Sequence, residues 1–282
     1  MANIITNPIL KEFKDLKLIH NKNLVVISNS TRDAKIKVLQ DKEARIIILK
    51  KYKKKNYYKN KDLNIKINNE DDLRRYKQFK KLFKGRKKIL DFGCGWGGFL
   101  NNFKKSQNVI GVEIRESCKK FINKKFKFNV YDDLNYIGSK FDIITMFHVL
   151  EHIPYQLKVL KNIKKKLKNK GKIIIEVPHA QDFLLEILNL ESFKKFTFWS
   201  EHLVLHSKLS LKKFLVSSGY KNIKIQNYQR YNINNHLKWF LKGQPGGHET
   251  PLFKISNKTK INYDRYLIKN NYSDTIIAIA NK

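Results

Sequence analysis

The chain has 282 residues, enough for one α/β domain of ordinary size with a small addition. Its two cysteines exclude a disulfide framework and a cysteine-only zinc site, and they suit a reducing compartment, so we expect a cytoplasmic protein. No apolar run approaches the roughly 18–20 residues that a membrane helix requires, and the first ten residues do not resemble a signal peptide.

The formal net charge is +35, a value often associated with nucleic-acid binding. The basic residues are mostly lysines, however, and they are spread along the chain instead of forming one arginine-rich stripe. We therefore interpret the charge chiefly as solvated surface, which makes nucleic acid an unexpected partner. A weak attraction to anionic membrane surfaces is compatible with the same charge.

The first 69 residues are predicted to form a small β-containing appendage followed by a linker. Two β-branched stretches, at 24–27 and 45–49, have polar turns between them, and a lysine- and asparagine-rich linker is expected at 52–69. A helix is predicted over 70–83, since acidic residues occupy its first turn and lysines its last. The main domain is accordingly expected to span 70–282.

Strands and helices alternate beyond this helix, which indicates a parallel sheet covered by helices on both faces. The predicted strands cover 88–92, 108–112, 126–131, 141–147 and 172–177, and the helices between them cover 97–104, 116–125 and 155–168. A further helix at 207–218 and two strands at 222–228 and 275–280 complete the pattern.

A glycine-rich loop follows the first strand of this alternation and indicates a nucleoside-cofactor site. Asp91 lies near the end of this strand, where parallel sheets bind ligands. Gly93, Gly95 and Gly97 follow at alternate positions, and glycine lets the backbone turn sharply and lie against a ligand. Twenty residues after Gly93 the next strand ends in Glu113, whose carboxylate suits two ribose hydroxyls. The glycine spacing also fits a dinucleotide site, in which an acid before the loop is unusual.

The string Asp91-x-Gly93-x-Gly95-x-Gly97 resembles motif I of the class I S-adenosylmethionine-dependent methyltransferases. Segments 141–154 and 171–178 resemble the fourth motif and the fifth strand of the type-11 and type-23 methyltransferase families, so the resemblance covers about 87–228. It implies a doubly wound, mainly parallel, Rossmann-like sheet of seven strands whose last two strands form an antiparallel hairpin. An insertion at about 229–272 separates those two strands and is expected to cover the active site.

The resemblance also implies that the cofactor is S-adenosyl-L-methionine, bound at the carboxyl ends of the strands. Either Asp132 or Asp133, after the third strand, is expected to meet the adenine amino group, while Phe147 and His148 are expected near the transferred methyl group. The expected cofactor-binding residues are Asp91, Gly93, Gly95, Gly97, Glu113, Ile114, Asp132, Asp133, Phe147 and His148.

Three histidines are candidates for the base that removes a proton from the methyl acceptor, because the imidazole pKa is near neutral. His148 follows the fourth strand, His179 follows the fifth, and His202 lies near the expected opening. His148, Glu151 and His152 also have metal-ligating chemistry, but His-x-x-Glu-His on one turn equally fits a buried, hydrogen-bonded helix start. Without a further clear ligand, we expect no metal.

The stretch 232–248 combines aromatic residues, amides and glycine turns, a mixture that commonly holds sugar rings. With Trp199, His236 and Trp239 it suggests a saccharide acceptor, although an aromatic-anchored lid that packs on the core fits equally well. We therefore expect a small-molecule O-methyltransferase of surface-polysaccharide assembly. The alternatives are a nucleic-acid methyltransferase, whose Asn/Asp-Pro-Pro-aromatic signature is missing after the fourth strand, and an NAD-dependent sugar-modifying enzyme.

Overall fold

A computed structural model describes residues 3–54, 69–103 and 108–282. The elements of the N-terminal part are β1 (Asn3–Thr6), α1 (Pro8–Asp15), β2 (Leu24–Ser28), β3 (Val38–Asp41), β4 (Ile46–Leu49) and β5 (Lys51–Lys54). β1 and β5 form a two-stranded antiparallel sheet, whereas β2, β3 and β4 belong to a second antiparallel sheet.

The remainder of the chain contains a first group of alternating strands and helices and a second group that includes the last two strands of the central sheet. The first group is α2 (Asn69–Phe83), β6 (Lys88–Phe92), β7 (Asn108–Val112), α3 (Glu116–Lys125), β8 (Val130–Tyr131), β9 (Phe141–Phe147), α4 (Gln156–Lys166) and β10 (Leu167–Pro178). The second group is α5 (Phe183–Glu186), α6 (Glu191–Thr197), β11 (Val204–Leu205), α7 (Lys208–Ser217), β12 (Lys221–Tyr228), α8 (Ile233–Lys242), α9 (Asn257–Lys269) and β13 (Thr275–Asn281).

The central sheet has seven strands in the order β12-β13-β10-β9-β6-β7-β8. The pairs among β10, β9, β6, β7 and β8 are parallel, whereas β13 runs antiparallel to both β10 and β12. This arrangement confirms the predicted mainly parallel, doubly wound sheet with an antiparallel hairpin at one edge. None of the helices in the described residues is both long and apolar enough to cross a membrane.

Both faces of the sheet are buried, as parallel strands require. Alternate residues of one strand point to opposite faces, so Ile143 and Ile144 of β9 belong to two separate apolar clusters. Ile174 and Ile175 of β10 are divided in the same way. The continuous apolar runs that predicted these strands therefore serve two cores at once.

Two predicted elements are shorter than the sequence pattern suggested. The helix expected over 97–104 is wrong for the described part, where only a 3₁₀ turn forms at Leu100–Asn102. Gly97 has a φ of 78°, which an α-helix does not allow. The strand expected over 126–131 is reduced to its last two residues, because Phe126 ends α3 and Lys127 has a φ of 58°.

The N-terminal appendage shares a sheet with the main part of the chain. In this four-stranded antiparallel sheet β11 pairs with β4, and Val204 lies opposite Ile48. The predicted linker overlaps β5, and its residues 55–68 lie outside the described residues. The domain boundary at 69–70 stays a prediction. The shared sheet shows that the appendage is attached to the main part of the chain through the pairing of β4 with β11.

Asn7 fixes this attachment through three hydrogen bonds. Its side chain caps α1 by accepting from the Ile9 amide at 3.1 Å, and its Nδ2 donates to the carbonyls of Leu49 and Leu203, each at 2.9 Å. Asn7 is buried, so no surface solvent replaces these partners. One side chain thus joins α1, the appendage sheet and the segment that leads into β11.

We expect Asn7→Ala to lower the free energy of unfolding by about 2–4 kcal/mol, because it removes a helix cap and leaves buried carbonyls with fewer donors. The matched control is Ser256→Ala at the exposed N-cap of α9, where loss of the cap alone should cost about 0.5–1 kcal/mol. Urea denaturation of both variants measures the difference. Equal losses would contradict a bridging role for Asn7.

Candidate active site

The predicted cofactor residues lie together at the carboxyl edge of four neighbouring strands. β9, β6, β7 and β8 are adjacent and parallel, so their carboxyl ends meet on one side of the sheet. This edge is where open α/β sheets bind ligands. It carries Asp91, the glycine loop, Glu113 and Ile114, Asp132 and Asp133, and Phe147 and His148.

The glycine loop has the backbone conformation that its composition predicted. Gly93, Gly95 and Gly97 have φ values of 78°, 54° and 78°. A Cβ on Gly93 would collide with the Val149 side chain, and a Cβ on Gly97 would lie 2.7 Å from Cγ1 of Ile122. At Gly95 the nearest other atom is the end of a flexible guanidinium at 3.5 Å, so this glycine leaves open space beside the loop. The three glycines therefore form a cradle, because side chains at Gly93 and Gly97 would collide with neighbouring residues and one at Gly95 would occupy the open space.

Asp91 is buried in β6 and accepts a hydrogen bond from Oγ1 of Thr145 at 2.7 Å. Burial raises the pKa of Asp91 to about 7, so its carboxyl carries a proton part of the time at neutral pH. A cation bound beside it would favour the ionised form. The position suits the positively charged end of an amino-acid-bearing cofactor.

Glu113 follows β7 and is tied to the glycine loop. Its Oε2 accepts from the Gly95 amide at 2.9 Å, and its Oε1 accepts from the amide and Nε of Arg115, each at 3.0 Å. The Arg115 guanidinium was not anticipated from the sequence. Ile114, between the two, is 59% exposed, as expected for an apolar side chain that a ligand can cover.

The two acids after β8 have different surroundings. Asp133 accepts a hydrogen bond from the Asn135 amide at 2.7 Å and so caps a 3₁₀ turn. Asp132 is more than half exposed, with Nζ of Lys119 at 3.6 Å. Only Asp132 therefore presents a carboxylate that is not already part of the turn.

His148 is held in a strained conformation directly after β9. Its φ is 54°, in the left-handed region that non-glycine residues seldom occupy and that recurs at functional sites. Nδ1 lies 3.1 Å from Oε1 of Glu151, while Nε2 lies 3.0 Å from Nη1 of Arg230 and 3.3 Å from Oε1 of Glu176. Contacts on both ring nitrogens fix the imidazole at the carboxyl edge.

Glu176, near the end of β10, is the centre of a buried charge network that the sequence did not reveal. Both Arg74 and Arg75 of α2 donate to its carboxylate, with shortest contacts of 2.7 Å and 2.8 Å. These partners and His148 hold the pKa of Glu176 well below its usual value. Arg230 joins the network through an ion pair with Asp71.

A cavity of about 260 Å³ opens beside His148. His148, His179 and His202 all line it, so the structure brings the three candidate bases to one space. Residues from the first part of the predicted insertion also line it, namely Arg230, Tyr231, Asn235, His236 and Trp239.

The three histidines differ in what they can offer an acceptor. His179 is buried, with Nδ1 facing the Ser273 carbonyl at 3.0 Å, and its Nε2 has no hydrogen-bond partner among the described residues. Burial lowers the pKa of His179 to about 4, so it is neutral at neutral pH. Burial likewise lowers the pKa of His202 to about 3. Both rings can accept a hydrogen bond, but at these pKa values they are weaker bases than the near-neutral imidazoles that the sequence predicted.

Comparison with known proteins agrees with this geometry. Residues 68–225 match the Methyltransf_23 family, a methyltransferase domain. An uncharacterized protein of Methanocaldococcus jannaschii is 35% identical over 136 residues, which cover 47% of this chain and 54% of that protein. A ubiquinone biosynthesis O-methyltransferase of Coxiella burnetii is 32% identical over 98 residues, which cover 31% of this chain and 42% of that protein. The chain thus spans about half the length of the curated relatives it matches.

A solved structure of a SAM-dependent methyltransferase from Archaeoglobus fulgidus has the same fold. The TM-score is 0.54 at 25% sequence identity, and the alignment covers 76% of this chain and 94% of that one. The sheet order, the glycine cradle and this likeness define a class I methyltransferase that uses S-adenosylmethionine. The chain belongs to the Methyltransf_23 family of methyltransferase domains. The predictions of family, enzyme class and cofactor are confirmed.

The glycine loop generates a prediction about stability. Alanine at either Gly93 or Gly95 must adopt a positive φ, which costs about 1–2 kcal/mol. Gly93→Ala should lose about a further 1–3 kcal/mol, because its Cβ overlaps Val149 in a packed loop. Urea denaturation of the two variants provides a matched comparison. Similar losses at both positions would show that the loop is less tightly packed than described.

Proposed function

We propose that this enzyme transfers a methyl group from S-adenosylmethionine to a hydroxyl of a saccharide, as a step in surface-polysaccharide assembly. The observation that carries the proposal is the cavity at the carboxyl edge, where three histidines face aromatic and amide side chains. The cofactor supplies an electrophilic methyl group on its sulfonium. The protein has to align the acceptor hydroxyl with that methyl group and remove the proton of the hydroxyl.

The cofactor is assigned to the residues at the ends of β6 to β9. Glu113 is proposed to bind the ribose hydroxyls, and Asp91 to lie toward the charged amino-acid end. The Glu113 carboxylate accepts four hydrogen bonds, one from the Gly95 amide and three from Arg115. Two of these three come from the guanidinium, which the ribose would displace from the carboxylate. For the adenine amino group we favour Asp132, because the Asp133 carboxylate already caps a turn.

The acceptor is assigned to the cavity between His148 and α8. Trp239 offers an apolar surface for the CH face of a sugar ring, while Asn235 offers an amide for a hydroxyl. His236 also lines the cavity, with its ring nitrogens paired to Gln229 and Tyr263. The cavity volume of about 260 Å³ suits one sugar ring better than an extended chain. O-methylation also agrees with the name of the Coxiella burnetii relative, and the polysaccharide context rests on the resemblance of the motifs.

The base is assigned to the histidines that line the cavity. His179 has an Nε2 without a hydrogen-bond partner among the described residues, and His148 lies beside the strand end that leads to the methyl group. His202 lies on the same cavity and serves as the third candidate. At least one of them is proposed to orient the acceptor hydroxyl or remove its proton.

We place the reaction in the cytoplasm, on the basis of two free, buried cysteines. The lysine-rich surface is assigned to solvation, with at most a weak attraction to anionic membranes. A nucleic-acid substrate and an NAD-dependent reaction are the competing functions. Methyl incorporation into structured RNA at 200 mM salt would favour the first, since nonspecific charge attraction weakens with salt.

Glu113→Ala should weaken S-adenosylmethionine binding by about 2–4 kcal/mol, because two ribose hydroxyls lose their acceptor in a partly buried site. Gly95→Val should abolish binding by filling the open space beside the loop while the fold is retained. Calorimetry with S-adenosylmethionine and its demethylated product measures both effects.

Glu43→Ala is the control for this experiment, since Glu43 is exposed in the appendage, on the turn between β3 and β4. It should bind the cofactor like the wild type. Binding of NAD in place of S-adenosylmethionine, or unchanged affinity in Glu113→Ala, would overturn the assignment of the ribose site.

Removing the base should slow methyl transfer by about 10²–10⁴-fold while cofactor affinity barely changes. The variants are His148→Ala, His179→Ala and His202→Ala, with the exposed His20→Ala as the control. Transfer of labelled methyl groups is measured on a panel of sugars and nucleotide sugars. If all three variants keep near wild-type turnover, the histidine mechanism is wrong.

A further inference from the structure

We propose that Glu151, His152 and His202 form a binding site for a divalent transition metal of the Zn²⁺ type, beneath the acceptor cavity. One ligand atom from each of these residues lies within 4.8 Å of the others. Glu151 and His152 share one turn after β9, but His202 arrives from the segment between α6 and β11. The fold thus supplies the further ligand that was missing from the sequence pattern.

The two imidazoles are already oriented for coordination. Nδ1 of His152 lies 2.9 Å from the Glu201 carbonyl, and Nδ1 of His202 lies 3.3 Å from the Thr197 carbonyl. A carbonyl oxygen only accepts, so in both rings Nδ1 carries the proton and Nε2 keeps its lone pair. Metal-bound histidines are usually held by such a second hydrogen bond.

Glu151 supplies the negative charge of the site. Its side chain is completely buried, and Oε1 lies 3.1 Å from Nδ1 of His148 and 4.0 Å from Nε2 of His152. The other oxygen, Oε2, has no hydrogen-bond partner among the described residues. A buried carboxylate oxygen without a partner is costly, and a bound cation would remove that cost.

The donor set selects the kind of metal. Two neutral imidazoles and one carboxylate are typical ligands of Zn²⁺, whereas Mg²⁺ and Ca²⁺ prefer oxygen ligands alone. Three protein ligands leave a coordination position open, as in catalytic zinc sites. Because His202 also lines the cavity, an acceptor oxygen could take that position. A metal-bound His202 would position the acceptor, which leaves His148 and His179 as the candidate bases. Coordination of the acceptor oxygen rests on the proposed function, whereas metal binding itself does not. Cofactor binding is still expected to need no metal.

The test is metal binding by the full chain after treatment with a chelator and dialysis. Calorimetry should show one Zn²⁺ per chain, and Co²⁺ should give the visible absorption bands of a low-coordinate site. His202→Ala and Glu151→Gln should each weaken Zn²⁺ binding at least ~100-fold, since even residues that only orient metal ligands contribute about 10–100-fold. His20→Ala, at an exposed histidine, should bind Zn²⁺ like the wild type.

Circular dichroism and S-adenosylmethionine binding verify that each variant is folded. The proposal fails if the wild type binds no stoichiometric Zn²⁺, if His202→Ala and Glu151→Gln bind it as tightly as His20→Ala, or if Mg²⁺ competes on equal terms. Methyl transfer by the wild type is measured in parallel, both metal-free and loaded with Zn²⁺. If the wild type transfers methyl groups but binds no Zn²⁺, only this site is refuted. If it binds Zn²⁺ but the loaded protein methylates none of the sugars, only the proposed function is refuted.

Discussion

The carboxylate of Glu176 connects the parts of the active site that come from distant regions of the chain. It lies at the carboxyl end of β10 and receives both arginines from the first turns of α2 and the imidazole of His148. Because the carboxylate is buried, loss of either side of this network would leave an unpaired charge in the interior, at a cost of about 3–5 kcal/mol. The network therefore fixes α2 over the sheet edge and holds the strained turn after β9.

The same network reaches the segment that closes the cavity. Arg230 pairs with Asp71 of α2 and contacts His148, while its backbone amide donates to the Asp274 carboxylate at 3.0 Å. Asp274 lies just before β13, so both ends of the 229–272 segment are attached at this point. The position of the lid relative to His148 is thereby set by charges and not by apolar packing alone.

The lid helix α8 has an unusual distribution of side chains. It buries Asn234, Asn235 and His236, whereas Phe240 and Leu241 are 61% and 50% exposed. Of these polar residues, Asn235 and His236 line the cavity instead of joining an apolar core. Trp239 contacts Phe193 and Phe196, as the interpretation of this stretch as a lid packed on the core requires. It also borders the cavity to which the saccharide is assigned as a proposal.

The sequence by itself determined the central sheet and the cofactor loop. Strands such as β6 and β9 are buried on both faces and so read as continuous apolar runs, and glycines at positive φ leave a local signature that needs no distant partner. Tertiary structure alone decided the rest, namely the attachment of the appendage through β11, the partners of Glu176, and the meeting of His202 with Glu151. These contacts join residues about 30 to 160 positions apart. Their local sequence patterns do not predict one another, because ion pairs and ligand clusters depend on where the folded chain places each side chain.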